Sequence, residues 1–280
     1  MSALATVVTP SATSQRLARP ELLISGVLLS GILVLAVFGP VLAGYDPQFV
    51  NLEQRFVRPF LAQHVFGTDQ LGRDLFARLL HGLRWSLSTA LCATLLAFAV
   101  GTVLGLLAAR SHSIAGKVIR QVTAFAQSFP VFVLAVSLVA VVGNGFQAIV
   151  LILGLVTWPV FCRVVQAEAA SLFTREYVLA AEMLQMSSVR LYLRHVLPGL
   201  LSSLSVLVPF HFADMLIAES ALSFLGIGAP LGSPTWGNML QESRAYLTNA
   251  PWLMLVPALA IVTLVIAANL LGDGLRRRLA

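Results

Sequence analysis

His211, Asp214 and Glu219 are the ionisable side chains whose setting could do chemistry, because all three fall within one long apolar run. His211 and Asp214 are three residues apart and so share a helix face, while Glu219 lies near the far end of the run. A charge at the centre of a bilayer costs about 2.5–3.5 kcal/mol on insertion scales, so such groups face a cavity or a partner. One reading is a polar lining of a solute path, favouring a cationic or metal-bearing solute. The other is mutual hydrogen bonding or pairing with another subunit, and this is the expectation. Two ligand types at this spacing are weak evidence for a metal, and no metal site is assigned.

Catalysis has less support. No nucleophile, base and orienting group occur at useful spacing, so the chain does not read as an enzyme. It has no G-x-x-x-x-G-K-[ST] loop to cradle a nucleotide and no cofactor of its own. Cys92 and Cys162 both fall in apolar runs and read as small buried hydrophobes rather than a disulfide or zinc site.

The elements that position these residues are membrane helices. The chain is 58% hydrophobic and 11% charged, with a mean hydropathy of +0.88, against roughly 25% charged in a soluble domain. Apolar windows predict six spans, at 22–42, 86–109, 119–142, 146–168, 200–223 and 251–271. The first is long enough to span ~30 Å and reads as an uncleaved helix, not a signal peptide. Gly143-Asn144-Gly145 is the turn between the third and fourth spans. Pro130, Pro159, Pro209 and Pro257 are read as tolerated inside spans, and Gly101-x-x-x-Gly105 as a face for close helix packing.

Twelve of the eighteen Lys and Arg fall on the side of the N-terminus, the 110–120 loop, the 163–194 region and the C-terminus. That bias predicts both termini in the cytoplasm. The first outer loop is Arg-rich for its side, partly offset by Asp46, Glu53, Asp69 and Asp74. The basic residues form no patch with interleaved aromatics, which argues against nucleic acid as a partner. Trp236 and Trp252 are expected as interface anchors.

Two polar stretches stand out. Gly67–Leu87 alternates Asp69, Arg73, Asp74 and Arg78 with Leu71, Leu75, Leu79 and Leu80, a helical pattern suited to a membrane surface. The Gly67–Asp74 turn is expected to be a structural cap rather than a docking surface. Arg175–Leu201 is a charged helix-forming stretch between two apolar runs, so it belongs in water on one side of the bilayer. On a helix, Val178, Ala181, Met183-Leu184 and Leu191 give apolar surface, while Glu182, Arg190 and Arg194 are polar. Pro198 suits the first turn of the next helix.

Four separated segments, in order, carry a resemblance. They are Asp46-Pro47 with GTDQLGRDLFARLLHGLRWSL, then TREYVLAAEMLQMSSVRLYLRHVLP, then ESALSFLGIG with PTWGNML, and finally NLLGDGLRRRL. Over residues 20–280 the chain resembles the inner-membrane permease subunits of bacterial ABC importers of the peptide/nickel type, specifically the subunit with an extra N-terminal helix. The resemblance implies an all-α membrane protein of six transmembrane helices in the ABC-importer type I permease fold. It divides the chain into a cytoplasmic tail at 1–20, a first helix with periplasmic loop at 21–85, and a five-helix core at 86–280 with a coupling loop at 172–198.

The same resemblance assigns ATPase coupling to Glu176, Tyr177, Ala180, Ala181, Gln185, Arg190, His195 and Pro198. It assigns a periplasmic motif to Gly67, Thr68, Asp69, Gly72, Arg73 and Asp74, and leaves His211, Asp214 and Glu219 as candidates for the translocation path. The implied partners are a second homologous permease in a heterodimer, two ATPase subunits that hold the ATP, and a periplasmic or lipid-anchored substrate-binding protein. The implied place is the bacterial inner membrane. The implied cargo is a di- or oligopeptide, with nickel or a metal chelate as the alternative; a stand-alone secondary transporter is the reading from another class. Where the family's coupling loop carries a glycine after the Ala pair, this chain has Gln185, and Leu179 replaces a frequent glutamate. Gln185 implies a continuous helix or a bend made elsewhere, at Ser187-Ser188.

Overall fold

The computed structural model describes residues 12–110, 114–230 and 232–279, which are helical apart from turns, loops and two isolated β-bridges. The helices are α1 (Ala12–Leu42), α2 (Leu75–Ala109), α3 (Ile114–Ala126), α4 (Val131–Val142), α5 (Phe146–Leu172), α6 (Glu176–Met183), α7 (Ser188–Leu191), α8 (Leu197–Phe224), α9 (Trp236–Ser243) and α10 (Trp252–Leu279). One π-helical turn, Tyr192–Val196, joins α7 to α8.

Among the described residues, five helices are long and apolar enough to cross a membrane, and α3 with α4 would make a sixth crossing. That third span is not one helix. The two pieces meet at 90° around Ser128–Pro130. A proline lacks the N–H that would continue the ladder, and its ring collides with the preceding turn. Pro159, Pro209 and Pro257 have the same defect yet sit inside continuous helices. All three are packed, Pro159, Pro209 and Pro257 being buried, whereas Pro130 is exposed. Close neighbours can re-satisfy the freed backbone groups, and Pro130 has few.

α2 starts eleven residues before the predicted span. At 1.5 Å per residue its 35 residues reach about 52 Å, so its first turns stand outside a hydrocarbon core of about 30 Å. Helix α1 likewise begins at Ala12, inside the segment expected to be a tail. α2 and α5 form the packed centre. An added Cβ at Gly101 would meet Phe161 Cβ at 2.6 Å, and one at Gly105 would meet Val165 Cβ at 2.7 Å. Only glycine lets the two backbones lie this close.

Gly274 of α10 rests against Leu22 of α1, and Gly199 of α8 against Leu172 of α5. Gly39 at the other end of α1 rests against Leu80 near the start of α2. The described termini and the α6–α7 region therefore share one end of the bundle, and the 44–74 loop covers the opposite end.

Candidate functional site

At the covered end, the Gly67–Asp74 turn is buried rather than laid on a surface. Thr68, Asp69, Arg73, Asp74 and Arg78 are each at most 6% exposed. Asp74 caps α2 by accepting from the Ala77 N–H at 2.7 Å, and its other oxygen lies 2.7 Å from His64 Nδ1. The Thr68 hydroxyl donates to the Gln54 carbonyl and accepts from the Val57 N–H at 2.9 Å. Gly72 has φ +72°, and a Cβ there would overlap the Asn51 carbonyl. The alternating charges thus point inward. Asp69 accepts from Arg73 Nε at 2.6 Å and from Arg78 at 2.5 Å. Both arginines also donate to Glu242 of α9, at 2.7 and 2.8 Å, and Gln70 donates to it at 3.2 Å.

Burial alone would raise the Glu242 pKa, but the Arg78 hydrogen bond and the charges of Arg78 and Arg73 outweigh it and hold the carboxyl below its usual range. Trp236 is also buried, donating its indole N–H to the Leu79 carbonyl at 3.0 Å. It stitches α9 to α2 rather than anchoring at a membrane interface. Trp252 is half-buried against the same core. The outer surface of this cap carries exposed Phe49, Leu52, Phe60 and Leu61.

At the opposite end, α6 and α7 fold back on α5 and α8. Val178, Ala181, Leu191 and Val196 are buried with Val165, Ala169 and Leu200 in one small core. Glu176, Tyr177, Ala180, Gln185, Arg190 and Pro198 face outward, and His195 is half-buried. The two alanines therefore differ: Ala181 faces the chain's own core and Ala180 faces out. Met183 and Leu184 are 83% and 80% exposed, and Val189 and Leu193 are exposed as well. The bend falls on Gln185 itself, at φ +54°, not at Ser187-Ser188. Gln185 N–H donates to the Glu182 carbonyl at 2.9 Å and Met186 N–H to Ala181 at 3.3 Å, closing α6 where glycine would do so without steric cost.

Sequence reasoning missed Arg110. Its guanidinium lies 2.8 Å from the Glu182 carboxylate and within 6 Å of the Phe173 and Tyr192 ring centres, which meet edge to face. In the sequence Arg110 is only the basic residue that closes a span. Glu242 was missed as well, since nothing near it in the chain announces its partners.

The three membrane-depth residues do not act together. His211 Nε2 lies 3.1 Å from the Thr157 hydroxyl, with its ring edge-on to Phe161. Glu219 is fully buried, accepting from Ser223 at 3.0 Å and Ser220 at 3.5 Å, with Ser86 and Trp85 of α2 beside it. Asp214 is exposed and bonds to neither.

Residues 101–280 match the family described as the binding-protein-dependent transport system inner membrane component. The chain is 34% identical over 263 residues to the dipeptide transport system permease protein of Alkalihalophilus pseudofirmus, covering 94% of this chain and 86% of that one. It is 36% identical over 246 residues to the glutathione transport system permease protein of Escherichia coli, covering 88% and 81%. Among solved structures it resembles the inward-facing MetNI methionine ABC transporter, with a TM-score of 0.60 at 18% identity, over 72% of this chain and 96% of that one. That likeness gives the type I permease fold.

Proposed function

This chain belongs to the inner-membrane components of binding-protein-dependent transport systems, and from that premise we propose that it is half of the permease of an ATP-driven peptide importer. The carrying observation is that Tyr177, Met183, Leu184, Val189 and Leu193 are all exposed on a segment packed over its own buried core. Exposed apolar side chains set among Glu176, Arg190 and Arg194 cannot enter lipid cheaply and fit a protein partner. The partner is an ATPase subunit in the cytoplasm, docked on the α6–α7 elbow. Closure of two such subunits on ATP would move the elbow and, through α5 and α8, rock the bundle between inward and outward access. The other half of the path comes from a second, homologous permease, and the exposed aromatic cap meets the substrate-binding protein outside. Di- and oligopeptide cargo is favoured because the relatives above are named for a dipeptide and for glutathione.

The test substitutes Met183→Glu together with Leu184→Asp in the assembled transporter. Both side chains are exposed, so the local core is untouched, unlike a change at buried Ala181. Transport and binding-protein-stimulated ATP hydrolysis should both fall to background. If both persist at the wild-type level, the docking face is assigned wrongly.

A further inference from the structure

Asp214 sits seventeen residues into α8, about 25 Å from its coupling end, and therefore at hydrocarbon depth. It is exposed, and no described residue pairs with it. Lipid is an unsuitable neighbour for it, since an ionised carboxylate there costs about 2.5–3.5 kcal/mol even on the mildest scales. The same helix face bears Phe210, Leu207 and Ser203, which stand about one, two and three turns nearer the coupling end. These three line a groove of about 380 Å³ between α5, α8 and α10 whose lining includes Arg276. Arg276 is exposed and has no ion-pair partner among the described residues. The Asp214 face thus continues into a concavity that leads to a cation at the coupling end, rather than into a flat apolar surface suited to lipid.

We infer that this face of α8 is a wall of the cargo passage, and that Asp214 is its specificity element, drawing solutes that carry a protonated amine. The inference rests on the importer reading and deepens it. An amine entering from the capped end meets Asp214 first, at depth, where a carboxylate acts through a low dielectric and concentrates cations. Arg276, on α10 beside the coupling-end half of α8, is then placed to receive a carboxylate at the exit, so a zwitterion meets complementary charges in sequence. His211 and Glu219 are turned into the bundle, and so take no part in this lining.

The experiment uses the assembled transporter in which Cys92→Ser and Cys162→Ala remove the native thiols. Single cysteines are then placed on the Asp214 face by Leu207→Cys and Ile217→Cys. Both should react with water-soluble methanethiosulfonates, the cationic reagent about tenfold faster than the anionic one, in keeping with carboxylate focusing of counter-ions. Asp214→Asn should abolish the preference and lower uptake of the cognate peptide. Labelling without charge preference overturns the role of Asp214. Protection of both cysteines in every nucleotide state, with Asp214→Asn releasing the second permease, overturns the passage assignment and makes the face a subunit contact. The stimulated ATPase is recorded on the same samples. If it remains intact while the labelling fails, the inference alone has failed; if it is absent in the wild-type assembly, the importer reading has.

Discussion

The Arg78 guanidinium lies 2.8 Å from the Glu242 carboxylate, 164 residues away in the chain, and both contact the Asp69–Arg73 pair. Two cations and two anions with little access to water thus clamp the 67–78 turn to α9. Removing one member of such a cluster is costly, because the others stay buried with unmatched charge; about 3 kcal/mol is expected from comparable pairs. Glu242→Gln should therefore expose the 44–74 loop to protease, with the α6–α7 region unaffected.

The same cluster sets a pH dependence. The Glu242 carboxyl is held below its ordinary value in the folded protein, so it contributes stability that is complete above the usual carboxylate range. That contribution is lost as pH falls through the lowered folded value. Protection factors of the 67–78 amides, taken relative to the intrinsic exchange rate at each pH, should fall on acidification in the wild type, and the fall should be blunted in Glu242→Gln.

Gln185 holds a backbone conformation that costs a side-chain-bearing residue about 1–2 kcal/mol, against roughly 0.5–1 kcal/mol of extra chain entropy for glycine. Gln185→Gly should stabilise the elbow by a few tenths to about 1 kcal/mol, slowing exchange at residues 182–190. Gln185→Val, branched at Cβ in a left-handed conformation, should speed it.

Arg110 separates packing from charge. The Arg110–Glu182 pair is exposed and worth at most about 1 kcal/mol, so Glu182→Gln should leave the elbow's protease resistance nearly unchanged. Arg110→Lys keeps the charge but loses the guanidinium's approach to the Phe173 and Tyr192 rings, and should loosen the elbow more than Glu182→Gln does.

Gly72→Ala should fail more severely than any change at the surface. Its Cβ would collide with the Asn51 backbone, which cannot swing aside like a side chain. The expected readout is a lowered midpoint of thermal unfolding with loss of resistance to protease between residues 44 and 74.

The long apolar helices and the α6–α7 interruption were legible because hydrophobic length and charge report directly on the solvent each segment meets. The Gly101–Gly105 contact was legible because small residues four apart mark a helix face. The break at Pro130 was not, since Pro159, Pro209 and Pro257 read alike and only their packing tells them apart. The cap was half legible: Asp69, Arg73 and Asp74 were visible as a charged pattern and Leu75–Leu87 is helical as the pattern suggested, but 67–74 is a buried turn completed by Glu242 and not a surface helix. At the elbow, the absence of glycine suggested a continuous helix or a bend away from 185. The chain instead bends at Gln185 and takes the strain there, a choice set by the buried core of Val178, Ala181 and Leu191.

The account turns on what touches the α6–α7 elbow. A photo-crosslinking amino acid at Leu184, in the intact transporter in membranes, should form an adduct with an ATPase subunit, in a yield that changes between nucleotide-free and ATP-trapped states. Adducts with lipid or with the substrate-binding protein alone would contradict the account.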